Sequence, residues 1–144
     1  ILTILVFAPF RQPSGFDSKH KIKNTKEKYY TQNKIAKAYN IAFKNLPIIT
    51  PKIYRKNLYQ DVFNSYVIRT KKQFKLFKYL RSKGIEALIN WPKPLYKHKG
   101  LKLKNIKLKN NEQICQEILS LPIYPEMLPT EFSYITKTIH KFFK

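Results

Sequence analysis

Residues 63–90, FNSYVIRTKKQFKLFKYLRSKGIEALIN, decide the fold, because three kinds of local signal follow one another there without a break. Tyr66 and Ile68, with Val62 just upstream, alternate along DVFNSYVIR and place one apolar side on a strand. Thr70 and Gln73 stand at the spacing of a capping box, and Phe74, Phe77 and Leu80 supply an apolar stripe. Gly84 offers the left-handed residue that closes a helix, and IEALIN resumes as a strand. The unit is strand, helix, strand.

Upstream, Ile35, Ala38, Tyr39, Ala42, Phe43 and Leu46 fall on one helical face, with Thr31 or Asn33 as N-cap and Pro47 just past the end. LPIITPKIY is held extended by its prolines. Downstream, NEQICQEIL reads as a short helix. EILSLPIYPEMLPTEF, residues 117–132, then runs extended, with Leu119, Leu121, Ile123 and Tyr124 available to a core. It contains no lysine or arginine, which fits a buried crossing where desolvating an ammonium would be costly. A last helix starts near Thr130, with Phe132, Ile135, Ile139 and Phe142 or Phe143 facing inward. Glu131 near its start and Lys137, Lys141 and Lys144 near its end suit the helix dipole. The expected fold is α+β: a small two-layer domain with a short, mainly antiparallel sheet covered by helices. Residues 31–144 form that domain, and residues 1–30 are a poorly patterned N-terminal segment.

The 144-residue chain carries a formal net charge of +21 and is 43% hydrophobic, too apolar for a disordered tail. The charge raises a small basic RNA- or DNA-binding protein, ribosomal for example, as the alternative reading. Lysine makes up most of the 29 basic residues, however, and the arginines are Arg11, Arg55, Arg69 and Arg81. Bidentate phosphate or guanine recognition favours arginine. Abundant Lys, Asn, Ile, Tyr and Phe beside three glycines fit AT-rich codons better than selection for a polyanion. Any nucleic-acid binding is expected to be nonspecific.

The opening ILTILVFAPF is far shorter than the roughly 20 apolar residues of a membrane helix, so no membrane partner is expected. The chain starts at Ile1, and the reading expects its true beginning to be missing. Cys115 is a lone cysteine, so no intramolecular disulfide can form and a cytoplasmic home is expected. His20, His98 and His140 are far apart and no metal site is expected. The isolated glycines make neither a phosphate loop nor a dinucleotide fingerprint.

From Tyr39 onward the sequence resembles the C-terminal portion of the DegT/DnrJ/StrS family of pyridoxal-phosphate-dependent aminotransferases. NKIAKAYNIAFKNLPIITP is similar to the family's R-x-x-A-x-x-Y helix and the extended segment after it. The strand, helix, Gly-Ile and proline motif of residues 63–97 come next, and ILSLPIYPEMLPTEF resembles the closing L-S-L-P-x-Y-P-x-L-x-x-x-E. The resemblance implies the small C-terminal domain of a fold-type I aminotransferase. The intact enzyme would pass an amino group, usually from glutamate, to a keto-sugar nucleotide for surface-glycan synthesis, as a homodimer with pyridoxal phosphate (PLP).

The departures are specific. In the motif resembling H-Y-P-x-P-x-H, Asn90 and Tyr96 replace the histidines and Trp91 the tyrosine, while Pro92 and Pro94 are kept. Asn90 and Tyr96 are the candidate substrate-binding residues; both can hydrogen bond, and neither titrates near neutrality as imidazole would. GFDSK resembles G-x-N-S-R, which makes Asp17 and Lys19 the candidate cofactor-binding residues in the places of the family's asparagine and arginine. A carboxylate at Asp17 would repel a cofactor phosphate. The resemblance puts the Schiff-base lysine in a domain upstream of this chain. No catalytic residue is therefore assigned, and the chain alone is expected neither to transaminate nor to hold PLP stably.

Overall fold

The computed structural model describes residues 18–53, 55–56, 59–103 and 106–144. Helix α1 (Ser18–Ala42) is followed by the two-residue strands β1 (Arg55–Lys56) and β2 (Tyr59–Gln60), then by β3 (Tyr66–Arg69) and α2 (Gln73–Ser82). Two 3-10 turns (Leu95–Lys97 and Lys99–Leu101) lead to α3 (Lys109–Glu117), β4 (Ile118–Leu121) and α4 (Pro129–Phe143). Strands β1 and β2 form a small antiparallel hairpin.

The central pair is β3 and β4, antiparallel, with Tyr66 opposite Leu121 and Arg69 opposite Ile118. Single bridges extend the pair on both sides: Ile49 joins Arg69, and Leu88 joins Ser120. The expected strand IEALIN is thus one bridge wide. Its alternation survives in the burial of Ile85 and Ala87, because the segment lies along β4 even where it does not pair. Tyr66, Ile68, Leu119 and Leu121 are buried, as central strands require. Small α+β architecture of this kind is what the local signals imply.

Helix α2 keeps its position and, through Leu80 and Phe77, part of its expected face, but not its expected cap. Its N-cap is Lys72, with no side-chain cap bond. Thr70 Oγ1 accepts from the Lys72 amide. Gln73 is buried, and its Nε2 donates to the carbonyls of Cys115 (3.0 Å) and Ile118 (2.7 Å). The side chain that was to close a local box instead ties α2 to α3 and β4. The inward face consists of Gln73, Leu76 and Leu80, while Phe74 is 57% exposed. Val62 is 48% exposed and precedes β3, and Phe63 takes the buried place.

Helix α1 starts at Ser18, so Thr31 and Asn33 lie inside it and cap nothing. Thr31 Oγ1 donates back to the Glu27 carbonyl, and Asn33 Nδ2 reaches the Asp61 carbonyl at 2.7 Å. Lysine and glutamate are good helix formers, and residues 27–30 are exposed, so this half of the helix leaves no apolar period to read. From Gln32 onward the helix is anchored by Ala36 and Tyr39, and by Phe43 just past its end.

Aromatic packing joins the layers. The Tyr39 ring lies 4.8 Å from Tyr66 and 4.8 Å from Phe132, and its hydroxyl donates to the Pro122 carbonyl at 3.0 Å. Tyr66 donates to Asn40 Oδ1, and Asn40 Nδ2 donates to the Pro51 carbonyl. His140 Nε2 meets the Ala42 carbonyl at 2.8 Å, so α4 also holds the end of α1. Burial raises the pKa of both Tyr39 and Tyr66, which keeps them neutral donors at ordinary pH.

Candidate functional site

Gly84 ends α2 with φ of 73°, and the Ile85 amide turns back to the Leu80 carbonyl at 3.0 Å. This turn aims residues 84–90 across the edge of β4. Opposite stand residues 122–126 and the first turns of α4. Between them lies a cleft of about 700 Å³. Tyr134, on α4, donates its hydroxyl to the Lys83 carbonyl at 3.0 Å and joins the two walls.

The lining combines Leu88, Leu121, Ile123 and Ile135 with three carboxylates, Glu86, Glu126 and Glu131. No lysine or arginine is among the described residues lining it, although the chain has 29 basic residues and eight acidic ones. The cleft is therefore a concave negative region on a strongly positive molecule, a geometry that focuses the local field. Glu131 caps α4 by accepting from the Leu128 amide at 2.8 Å. Tyr124 has its phenol pushed up to about 12, first by burial, then by its bond to Glu131 and the charges of Glu131 and Glu126. It remains protonated and donates.

Asn90 and Tyr96 are not brought together. Asn90 lines the cleft and donates from Nδ2 to Ser120 Oγ at 3.1 Å. Tyr96 lies elsewhere, in a smaller hollow of about 420 Å³. Its hydroxyl donates to Glu112 at 2.9 Å and accepts from the Leu108 amide at 3.2 Å. Lys97 Nζ is 3.0 Å from the same carboxylate. The bonds from Lys97 and Tyr96 hold the Glu112 carboxyl below the usual range. Lys19 lies in the first turn of α1, and Asp17 lies outside the described residues.

Sequence reasoning assigned no site role to Glu86, Glu126 or Tyr134, and read Tyr124 as a core residue. The signal was available: residues 84–91 and 117–132 are both free of lysine and arginine and together carry most of the cleft. Among the described residues, no group of three or more His, Cys, Asp or Glu side chains could hold a metal ion. No helix among them is long and apolar enough to cross a membrane. Cys115 is free, half-buried on α3.

An α+β domain with this topology recurs in solved aminotransferases. The structure of an aminotransferase from Brucella abortus superposes with a TM-score of 0.77 at 23% identity, over 87% of this chain and 34% of that one. A Helicobacter pylori aminotransferase involved in the biosynthesis of pseudoaminic acid gives 0.72 at 21% identity, over 87% of this chain and 35% of the other. Sequence agrees with fold: the model of the DegT/DnrJ/EryC1/StrS aminotransferase family matches residues 18–140, and the chain belongs to that family.

A curated relative, a pleiotropic regulatory protein of Geobacillus stearothermophilus, is 30% identical over 67% of this chain and 26% of its own length. The UDP-2-acetamido-2-deoxy-3-oxo-D-glucuronate aminotransferase of Pseudomonas aeruginosa is 25% identical over 73% of this chain and 29% of its own. The chain thus spans between a quarter and a third of these relatives, and corresponds to a C-terminal portion of the family's enzymes.

PLP is the family's cofactor, and the cleft lacks the groups to hold it. The group needs a primary amine for covalent attachment and donors or cations for its phosphate. The cleft offers neither a lysine nor an arginine among the described residues, and its three carboxylates would repel the phosphate. These residues do not fit the group, and no step is derived through it.

Proposed function

We propose that the chain is the small C-terminal domain of a PLP-dependent aminotransferase that moves an amino group, usually from glutamate, to a keto-sugar nucleotide in surface-glycan synthesis. The observation that carries this reading is the family match over residues 18–140, in a fold that covers about a third of the solved aminotransferases it resembles. The Schiff-base lysine and the phosphate cradle belong, on this reading, to polypeptide outside these 144 residues. The intact enzyme is a cytoplasmic homodimer with its sites at the subunit interface. The domain begins at residue 31, next to Gln32 and Asn33, where α1 first enters the core, and residues 1–30 are a remnant of the interdomain region.

Within this domain the cleft has a defined part to play. Asn90, Tyr124 and Tyr134 provide neutral hydrogen-bonding groups and the carboxylates accept, which suits hydroxyl-rich or amino-bearing groups over anions. Asn90 is the residue proposed to touch substrate there, and Tyr96 a second contact from its separate hollow. Asp17 and Lys19 stay proposed cofactor neighbours, reaching the partner subunit's site.

Two measurements test the reading. Genomic sequence upstream of the codon for Ile1 should encode, in frame or across a frameshift, a cofactor domain with its lysine; a clean start site and ribosome-binding sequence would count against it. The 144-residue chain mixed with PLP should show no visible absorbance band once excess cofactor is removed. A borohydride-reducible adduct at a single lysine would overturn the assignment of the cofactor chemistry to another part of the polypeptide.

A further inference from the structure

We infer that residues 91–109 form a membrane-contact surface that lays this domain on a bilayer bearing anionic headgroups, independently of the aminotransferase reading. Trp91, Leu95, Leu101, Leu103, Ile106 and Leu108 are between 41% and 61% exposed. Scattered apolar residues on a surface mean little, but a cluster of large ones marks a contact site. Every charged residue among positions 87–111 is a lysine, so this apolar material sits in a positive field. Glu112, the first acid beyond it, is already engaged by Lys97 and Tyr96.

The excursion gathers these side chains instead of scattering them. Along residues 94–99 burial alternates: Pro94 is buried and Tyr96 and His98 are half-buried, whereas Leu95, Lys97 and Lys99 are exposed. His98 Nε2 is buried, with no hydrogen-bond partner among the described residues, so the ring is turned from solvent at that atom. Tyr96 accepts from the Leu108 amide at 3.2 Å, which folds the far arm of the excursion back onto the near one. Leu103 and Ile106 line the same hollow as Tyr96. Leu95, Leu103, Ile106 and Leu108 thus all adjoin one residue, with Lys97, Lys99 and Lys102 among them.

The occupant follows from this mixture. A protein partner, or another domain of the same polypeptide, would bury lysines together with leucines, and interface cores are depleted in lysine. A second copy carries the same +21 and repels this one. A nucleic-acid strand calls for stacking rings, and here the exposed apolar groups are aliphatic apart from Trp91. A bilayer satisfies both halves of the pattern. Leucine and isoleucine enter the acyl boundary, lysine stems lie along it with their ammonium groups at the headgroup phosphates, and tryptophan settles at the interface. Such contact needs no span, and among the described residues no helix is long and apolar enough to cross a membrane. It departs from the expectation of no membrane partner, which weighed a spanning helix alone.

The test must separate insertion of this surface from general attraction of a chain of charge +21. The full chain is titrated with vesicles of equal parts phosphatidylcholine and phosphatidylglycerol, and with phosphatidylcholine alone, at about 0.15 M ionic strength. Trp91 is the single tryptophan, so its emission reports this surface directly. Saturable binding to the anionic vesicles is expected, with Trp91 emission moved to shorter wavelength and quenched by brominated acyl chains. Binding to phosphatidylcholine alone should be weaker by about tenfold or more. Leu101→Ser with Leu103→Ser should weaken binding to the anionic vesicles by about tenfold or more, while keeping the circular dichroism of the parent. Ile106→Ser should act in the same direction. Lys137→Gln with Lys141→Gln, on α4, should leave affinity within about twofold.

Binding with Trp91 emission unmoved and unquenched would overturn the inference, because adsorption by scattered lysines needs no insertion. Equal losses from the α4 variant and the leucine variant would do the same. Self-association in sedimentation without vesicles, abolished by Leu101→Ser with Leu103→Ser, would give the surface to a second copy instead. Binding of single-stranded RNA that is lost in that same variant would give it to nucleic acid.

Discussion

Replacing Gln73 with glutamate sets two readings of one residue against each other. If Gln73 closed a box with Thr70, a carboxylate would serve as well, and the positive end of α2 would add about 0.3–1 kcal/mol of stability. The structure instead points its Nε2 at the carbonyls of Cys115 and Ile118, at 3.0 and 2.7 Å. Gln73→Glu removes both bonds, each worth about 0.5–1.5 kcal/mol, and sets a partly desolvated carboxylate against two acceptors, at a further cost of about 1–3 kcal/mol. After the helix-dipole offset, the net loss is about 1–6 kcal/mol. At roughly 3 °C per kcal/mol for a domain of this size, Tm falls by roughly 3–18 °C.

The pH dependence carries a sign as well. Burial and the facing carbonyls raise the pKa of the introduced carboxyl in the folded state, so that state binds the proton more tightly than the unfolded one. The deficit against the parent is therefore full at neutral pH and shrinks as pH falls through the raised value. Thermal melts by circular dichroism at neutral pH and near pH ~5 measure both effects. A variant as stable as the parent at neutral pH would refute the cross-link and restore the capping box.

Three further outcomes follow from the same contacts. Gly84→Ala should cost about 1–2 kcal/mol through backbone conformation alone, since φ is 73° and nothing lies within 4 Å of the added Cβ; a lower urea midpoint with unchanged slope is the readout. Tyr66→Phe strips Asn40 Oδ1 of its donor and should cost about 1–3 kcal/mol by urea denaturation, with the chain still folded. Glu117 has a lowered pKa, through its bonds from Gln113 and then from Arg69. Its contribution is present above the ordinary glutamate value of 4.5 and is lost as pH falls through the lowered one; Glu117→Gln should flatten that part of the stability profile.

The parts of the fold that were legible are those where burial writes a period into sequence. Tyr39 on α1 and Phe43 just past its end, Leu80 on α2, and Ile135 and Ile139 on α4 are buried as their spacing implies. Leu119, Leu121 and Ile123 lie in the lysine-free crossing, where desolvation excludes ammonium groups. The start of α1 was illegible because its lysine-rich sequence carries no apolar period to mark. Phe74 and Val62 were misplaced because an apolar side chain at the right spacing does not say which of two adjacent faces the core takes. Leu76 and Phe63 took those places.

The candidate site was legible in one part. Asn90 was marked by the resemblance to the family's proline motif, where it stands in place of a histidine, and it lines the cleft. The carboxylates escaped notice because Glu86 comes from one segment and Glu126 and Glu131 from another, and only the tertiary fold brings them together. His98 could not be distinguished from a solvated histidine, since nothing local shows that its Nε2 is buried.

The junction of α3 with β4 has a consequence for how this domain can change. Helix ends at Glu117 and strand begins at Ile118 with no intervening residue. The helical screw and the pleat of the strand are therefore geared together. A residue inserted or deleted in α3 must either unwind a turn or slide β4 by one position, which would exchange the faces that Leu119 and Ser120 present. The Tyr96 clasp on Leu108 and Glu112 blocks slippage at the other end. Length variation between these elements is thereby directed into residues 98–107, where the chain can lengthen or shorten while the gearing of α3 to the sheet stays in phase.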